Sequence, residues 1–584
     1  MLGNHDVPHQ TNTPTFPMIP SDDTLPGKEQ PDSSSMDSST LDKEMPAQDN
    51  DQQEKPAAAS LSADDEDATE YPTGIRLFTI VLAIVLAIFL ASLDMTIVAT
   101  AIPKITDEFH GLSAASWYGS AFFLANGGFQ STWGKAYRYF ALKPTFLAAI
   151  AVFEAGSLLC GAAPNTVALI VGRAVTGLGA AGMGTGAYTV VAFVAAPARR
   201  ATYTGVVGVA YGVAAVAGPL VGGAFADRVS WRWCFYVNLP AGGLAALVVL
   251  LFFRAPAAAR PVRASWRERA LQMDFGGTVL VMGALVTFIL AMEYGGQSMA
   301  WSSGTVVGLL VGCVAIALVF VVWERFQGER AMVVPRLFRQ RPVWVSCLYT
   351  LFFGGPYFLV IYFLPIYFQS VDNASPTMSG VYNLPLIIAV STSMVLSGIF
   401  ITKTGLTAPV KVAGAVIALI ATGLLYTLDV ETSDGKWIGY QILGGVGWGI
   451  AFQVPIVVAQ SHVEPEDISS VTAFVIFFMN LGGTLFVSAA QSAFVNKLIA
   501  ILPSAAPGVD PDFVVATGAT QIRAVFAEDE IPGIVAAYMA GIKVALAIAT
   551  AATGVGLLVS LASSWKRLNA KAAESVGCAA CEKM

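Results

Sequence analysis

Charge is what this 584-residue chain lacks most: Asp, Glu, Lys and Arg make up only 12% of it, against 55% hydrophobic residues and a mean hydropathy of +0.63. A soluble domain of this size needs a charged surface, so that class is excluded. Histidine is scarcer still, at positions 5, 9, 110 and 462, and no two pair inside an apolar segment. A membrane enzyme would therefore lack a catalytic cluster, and neither an enzyme nor a metal site is expected. Six cysteines give no disulfide framework. Cys160, Cys234, Cys313 and Cys347 read as small apolar fillers, and Cys578 and Cys581 form a lone C-x-x-C with too few ligands for zinc and no aliphatic prenylation signal, leaving palmitoylation open. The phosphate loop G-x-x-x-x-G-K-[ST] is missing, which excludes ATP-driven export within this chain. Gly177, Gly179 and Gly182 match G-x-G-x-x-G inside an apolar run with no strand before it, so no dinucleotide cofactor is expected, nor a nucleic-acid partner.

What the chain has is long apolar runs. Windows of about 20 residues, enough to span the hydrocarbon core as a helix, recur fourteen times, centred near residues 88, 125, 153, 177, 215, 244, 285, 312, 355, 388, 418, 448, 482 and 550. Lipid leaves no solvent for backbone groups, and no polar/apolar alternation suggests a barrel, so the fold class is an all-α polytopic bundle. Residues 1–70 hold 16 acidic residues against 3 lysines and read as a disordered tail, either a passive solubilising segment or a signalling one. The rest is mildly basic. The expected organisation is a cytosolic tail 1–74, a six-helix half 75–254, loops with an extra helix pair 255–341, a second six-helix half 342–565 and a cytosolic tail 566–584.

The basic residues test the orientation. With the N-terminus inside, inner loops carry 17 Lys or Arg, including Lys135, Arg138, Lys143, Arg199 and Arg200, and outer loops carry 6. That bias predicts cytosolic termini and an even number of spans. The sequon at Asn373 falls outside, but Pro376 and the nearby membrane disfavour glycosylation.

Ionisable groups deep in an apolar run are expensive and mark function or a fixed pair. Asp94 lies about 25 Å along the first span and Arg173 about 9 Å inside the outer end of the fourth, so the two reach similar depths. They suit either proton coupling or a static salt bridge between the helices. Glu154, near the middle of the third span, is a further proton-coupling candidate, and Lys543 reads as a snorkelling structural residue. Asn126, Gln130, Tyr357 and Gln453 are substrate-contact candidates or helix-packing polar residues. The segments from Arg173 and Gln441 both place glycine at +4 and +6, Gly177 and Gly179 then Gly445 and Gly447, as expected of a duplicated half. In "GVVGVAYGVAAVAGPLVGGAFAD", Gly205, Gly208, Gly212, Pro219, Gly222 and Gly223 fall on one helical arc with Gly218 just outside it, predicting a smooth face for a closely packed helix.

These segments resemble, in order, the motifs of the major facilitator superfamily, in its fourteen-span drug/proton antiporter branch close to fungal multidrug and toxin efflux pumps. "LDMTIVATAIPKI" resembles the first-helix motif, "GKAYRYFALK" the cytosolic gating loop with Gly134, Lys135 and Arg138, and "GRAVTGLGAAG" the fourth helix, whose arginine the family links to proton coupling. The glycine stretch resembles the antiporter signature, and "WRWCFYVNLPAGG" its continuation. The loop departs from the pattern: Tyr137 and Arg138 stand where an acidic partner is usual, and Ala214 replaces a glycine. The resemblance implies a monomeric plasma-membrane or vacuolar exporter of small amphipathic compounds, driven by protons and using no cofactor. Proton-coupled uptake of a nutrient or siderophore, and a non-transporting sensor, are the alternatives.

Overall fold

The computed structural model describes residues 71–109, 115–256, 259–517, 519 and 521–568; the acidic tail 1–70 and the Cys578/Cys581 pair lie outside them. Among the described residues there is no strand, and thirteen helices are long and apolar enough to cross a membrane. The remaining expected span, near residue 125, is present in two pieces. Helix Ala115–Gly128 yields at Phe129 to Gln130–Tyr139, and bonds from Phe129 N to Ala125 O and from Trp133 N to Phe129 O, both 3.1 Å, carry the rod across the break.

Counting that rod as α2, the order is α1 Gly74–Phe109, α3 Leu142–Gly161, α4 Thr166–Val194, α5 Arg200–Arg228 and α6, built of Trp233–Tyr236 and Asn238–Phe252. Next come α7 Phe275–Tyr294, α8 Gly304–Gln327, α9 Arg341–Ser370, α10 Leu384–Thr404 and α11 Ala408–Tyr426. The last three are α12 Asp434–Ala451, α13 Ile468–Ala505 and α14 Ile531–Leu561. Polar side chains start several of them: Asn165 caps α4 through Ala168 N at 2.9 Å, and Asp274, at φ 43°, caps α7 through Gly277 N at 3.0 Å. Such caps satisfy amide groups that lipid cannot.

Helices approach one another through glycine. A Cβ on Gly179 of α4 would lie 2.5 Å from Phe153 Cα of α3, and one on Gly177 would lie 3.0 Å from Phe122 Cα of α2. In the second half, a Cβ on Gly447 of α12 would meet Ala418 N of α11 at 2.5 Å, and one on Gly445 would meet Leu386 O of α10 at 2.6 Å. The two glycine pairs thus do the same job in each half, holding α4 to α2 and α3 and α12 to α10 and α11. The equivalence extends to the polar residue four positions before. Arg173 Nε donates to Tyr118 O at 2.8 Å, and Gln441 Nε2 to Tyr382 O at 3.0 Å.

The helices α7 and α8 stand outside this arrangement. The start of α7 is tied to α2, with Thr132 Oγ1 3.2 Å from Thr278 Oγ1 and 3.3 Å from Met273 O. Its far end is tied to α13, where Asn496 Nδ2 donates to Gly295 O at 3.0 Å.

The two halves meet backbone to backbone at the basic end of the bundle, the end that carries Arg138, Arg199 and Lys403. A Cβ on Gly398 of α10 would sit 2.5 Å from Ala201 O of α5, and one on Gly134 of α2 would sit 2.5 Å from Ala473 Cβ of α13. The hydroxyls of Thr202 and Thr402 are 2.9 Å apart across the same seam.

Candidate functional site

Asp94 and Arg173, placed at similar depth by helix arithmetic, form an ion pair with both side chains fully buried. The guanidinium lies over the Phe122 ring at 4.6 Å and the Phe235 ring at 5.8 Å, apolar walls that exclude water while favouring a cation. Asn238 Nδ2 donates to the other carboxylate oxygen at 3.1 Å and also lies 3.1 Å from Ser157 Oγ. The carboxylate of α1 thus binds α4 and α6 directly, and Asn238 extends the network to Ser157 on α3. Two polar atoms of the group have no partner, Arg173 Nη2 and Asn238 Oδ1. Buried groups of that kind normally find one, so the network has unused hydrogen-bonding capacity.

Glu154 lies one turn before Ser157 on α3. Both its carboxyl oxygens are shut off from solvent and neither has a partner. It fits because α6 carries glycine at position 242, where a Cβ would collide with the carboxyl group. Lys543 is elsewhere, paired at 3.1 Å with Asp429 at the end opposite the basic one.

The substrate candidates separate into three places. Gln130 donates to Thr185 Oγ1 at 2.6 Å and Ala181 O at 3.3 Å, within the first half. Gln453, between α12 and the short helix Val454–Gln460, donates to Tyr188 Oη at 3.0 Å and so bridges the halves. Tyr357 packs its ring on Phe452 at 5.0 Å and Trp448 at 5.6 Å. Asn126 is half-buried, one turn before Gln130 and away from the basic end.

At the basic end, the segment that carries Gly134, Lys135 and Arg138 does have an acidic partner, supplied from elsewhere in the chain. Arg138 pairs with Asp467 at 2.6 Å, with side chains only 11% and 6% exposed, and Arg336 reaches the same carboxylate at 3.0 Å. Lys135 is buried and donates to Glu329 O at 2.7 Å and Gln272 Oε1 at 3.1 Å. Gly134 lets α13 come close, its Cβ position being 3.1 Å from Ser469 O.

The glycine stretch forms two contacts where one continuous face was expected. Cβ atoms on Gly205 and Gly208 would lie 2.6 Å from Met394 O and Met394 Sδ of α10, and Gly212 faces Ser391 and Ile387 on that helix. Gly218 instead faces Thr96 of α1, whose hydroxyl donates to Ala214 O at 3.1 Å. Gly222 is buried, whereas Gly223 has nothing within 4 Å of its Cβ position. The helix runs unbroken through Pro219. The contact with α1 thus comes from Gly218, the glycine off the arc, while the arc residues Gly205, Gly208 and Gly212 all meet α10. Asn373 is exposed in a short loop at φ 54°.

Sequence reasoning did not single out Asn238, Ser157, Asp467 or Tyr188. Only Asn238 carried a signal, as a lone amide within the apolar "YVNLPAGG".

The family description "Major Facilitator Superfamily" matches residues 84–487. The MFS-type transporter grgE of a Penicillium species is 54% identical over 505 residues, 86% of this chain and 89% of that protein. The probable efflux pump gsfJ of Penicillium aethiopicum is 49% identical over 502 residues, 86% and 90% of the two chains. The crystal structure of the human organic anion transporter MFSD10 shares the fold, with a TM-score of 0.55 at 13% identity over 83% of this chain and 99% of that one. Fold, motif order and sequence agree, and the chain belongs to the Major Facilitator Superfamily as a multi-pass membrane transporter, similar to fungal efflux pumps.

Proposed function

We propose that this transporter exports small amphipathic organic compounds in exchange for protons, by alternating access and as a monomer without a cofactor. It works at the plasma membrane, or the vacuolar membrane, with both termini cytosolic. The observation that carries the proton-coupled reading is the buried Asp94, Arg173, Asn238 and Ser157 network with Glu154 unpaired beside it. Glu154 can exchange a proton without breaking an ion pair, whereas a proton on Asp94 would loosen its hold on Arg173 and release the guanidinium to other partners. Either event changes the charge of a four-helix junction, which is how protonation can bias the packing of those helices. The names of the efflux-pump relatives support the outward direction.

The driving force is adequate. One proton delivers about 2.3 kcal/mol per 100 mV and about 1.36 kcal/mol per pH unit, and a few kcal/mol holds a solute gradient of about a hundred- to a thousand-fold. The test is expression in a drug-sensitive yeast, with accumulation of a compound panel measured with and without a protonophore. Accumulation should fall relative to empty vector and recover with the protonophore. If it never falls, export is the wrong reading, and accumulation above vector would indicate uptake.

A further inference from the structure

We propose that Asp274 and Glu324 share one proton, and that this proton latches the accessory helices α7 and α8 to the segment that closes the basic end, so that closure weakens as the solution there turns alkaline. The latch lies outside the Asp94 network and stands whether or not transport is driven by protons. Asp274 precedes α7 and Glu324 lies one turn before the end of α8; their exposures are 5% and 6%. Asp274 Oδ1 accepts from Gly277 N at 3.0 Å and Trp323 Nε1 at 2.8 Å, and Glu324 Oε2 accepts from Val333 N at 2.7 Å. The other two oxygens turn to a single amide. Met332 N lies 2.8 Å from Asp274 Oδ2 and 3.2 Å from Glu324 Oε1, and the two carboxyl groups also hydrogen-bond each other. Ionised carboxylates only accept, so that bond needs an acidic hydrogen on one of them. Two carboxylates sharing one buried site also repel when both are charged, and a retained proton removes the repulsion as it supplies the donor.

The charged groups around the pair have other partners. Lys135 of α2 is within electrostatic reach of both carboxyls, but its ammonium is engaged by Glu329 O at 2.7 Å and Gln272 Oε1 at 3.1 Å. Arg330 is turned to Glu268, Arg336 to Glu329 and Asp467, and Arg138 to Asp467. Arg325, the next residue on α8, is exposed. On the remaining side Val281, Leu285 and Phe477 pack with Met332 and bring no charge.

What the pair holds is the connection between α8 and α9. Met332 and Val333 hang from the two carboxyls. Three residues before Met332, the carbonyl of Glu329 takes Lys135, and three residues after Val333, Arg336 reaches Asp467, which also takes Arg138. The connection therefore carries a partner of Lys135 and is joined through Asp467 to Arg138. A second ionisation would push Asp274 and Glu324 apart and take away its anchor. Because the proton is bound in the latched form, the latch is complete at low pH and is lost as pH rises through the titration of the pair.

The test is infrared spectroscopy of the purified full-length protein in lipid nanodiscs, titrated from neutral to alkaline. The wild type should show a protonated-carboxyl C=O band that is lost in alkali and is missing at neutral pH from both Asp274→Asn and Glu324→Gln, since an amide supplies the hydrogen and leaves the remaining carboxyl free to ionise. Glu154→Gln, which removes the unpaired carboxyl elsewhere, should keep the band. Closure is read by oxidative trapping in the Thr202→Cys and Thr402→Cys double variant, whose native hydroxyls are 2.9 Å apart across the seam. In alkali, trapping should run at least about threefold slower than in the same double variant carrying Glu324→Gln, and at neutral pH the two should match. Comparison at each pH cancels the chemistry of the thiols. A band that survives Asp274→Asn would place the proton on Glu324 alone, and identical spectra for wild type and both variants would mean that both carboxyls are ionised. Equal trapping in alkali would mean that the proton fastens nothing beyond the pair. Each of these results overturns the proposal, and none depends on a substrate or on the direction of transport.

Discussion

Replacing Asp467 with asparagine tests how the basic end is held shut. The carboxylate takes Arg138 at 2.6 Å and Arg336 at 3.0 Å, and the Arg138 pair is almost out of solvent. Breaking one partner of a buried ion pair costs about 3 to 5 kcal/mol, whereas the same groups facing water in an opened form are worth about 0 to 1 kcal/mol. Breaking the pair therefore disfavours the closed end by about 2 to 5 kcal/mol, a factor of about 30 to 5,000 in the equilibrium. Asparagine keeps the shape and part of the hydrogen bonding, so the lower figure applies to Asp467→Asn. Thr202 and Thr402, whose hydroxyls are 2.9 Å apart across the seam, supply the reporter. In the Thr202→Cys and Thr402→Cys double variant, an oxidant should trap a disulfide rapidly, and adding Asp467→Asn should slow trapping at least tenfold while raising solvent labelling of both cysteines. An unchanged trapping rate would mean that glycine-mediated packing alone closes this end, and the electrostatic argument would fail.

Three further predictions concern other parts of the molecule. Arg173→Ala leaves Asp94 buried without its cation and should abolish flux and lower thermal stability by about 3 to 5 kcal/mol; Asp94→Asn with Arg173→Gln should restore the melting temperature but not transport, and restored flux would make the pair merely structural. Gly212→Leu drives a side chain into Ser391 and Ile387 and should stop transport with normal membrane insertion, while Gly223→Ala, with open space at its Cβ position, should transport like wild type. Glu108, outside the membrane, is held below the usual carboxylate range by hydrogen bonds from Arg232 and Trp231. A depressed carboxyl stabilises above its unfolded pKa and loses that contribution as pH falls through the lowered folded value, so Glu108→Gln should cost about 1 kcal/mol or less at pH 7 and nothing once the pH is well below that lowered value. A difference that persists in acid would assign the effect to packing.

The spans and their order were legible because lipid imposes length and hydropathy on each helix separately, and the same arithmetic brought Asp94 and Arg173 to one depth. Helix 2 was found as a single run although its backbone breaks at Phe129, since hydropathy is blind to one turn of altered geometry. Partners from distant segments were not legible. Asp467 lies over 300 residues from Arg138 in sequence and nothing local to either predicts the pair; Ser157 becomes significant only through Asn238 on another helix. The glycine stretch shows the limit of a helical wheel. It placed Gly205, Gly208 and Gly212 on one face, and all three meet α10, but that the contact does not continue to Gly223 depends on how the helices cross, a property of the assembled bundle.

The attachment of α7 has a mechanical consequence. One end is fastened to α2 through Thr132 and the other to α13 through Asn496, helices of opposite halves. A helix of 20 residues is a rod of about 30 Å that resists stretching. When the halves swing past each other, the rod has to lean, and its lean is bounded by its length. Any relative movement of the halves therefore has to tilt this rod or break the hydrogen bonds at its ends, each worth about 1 kcal/mol.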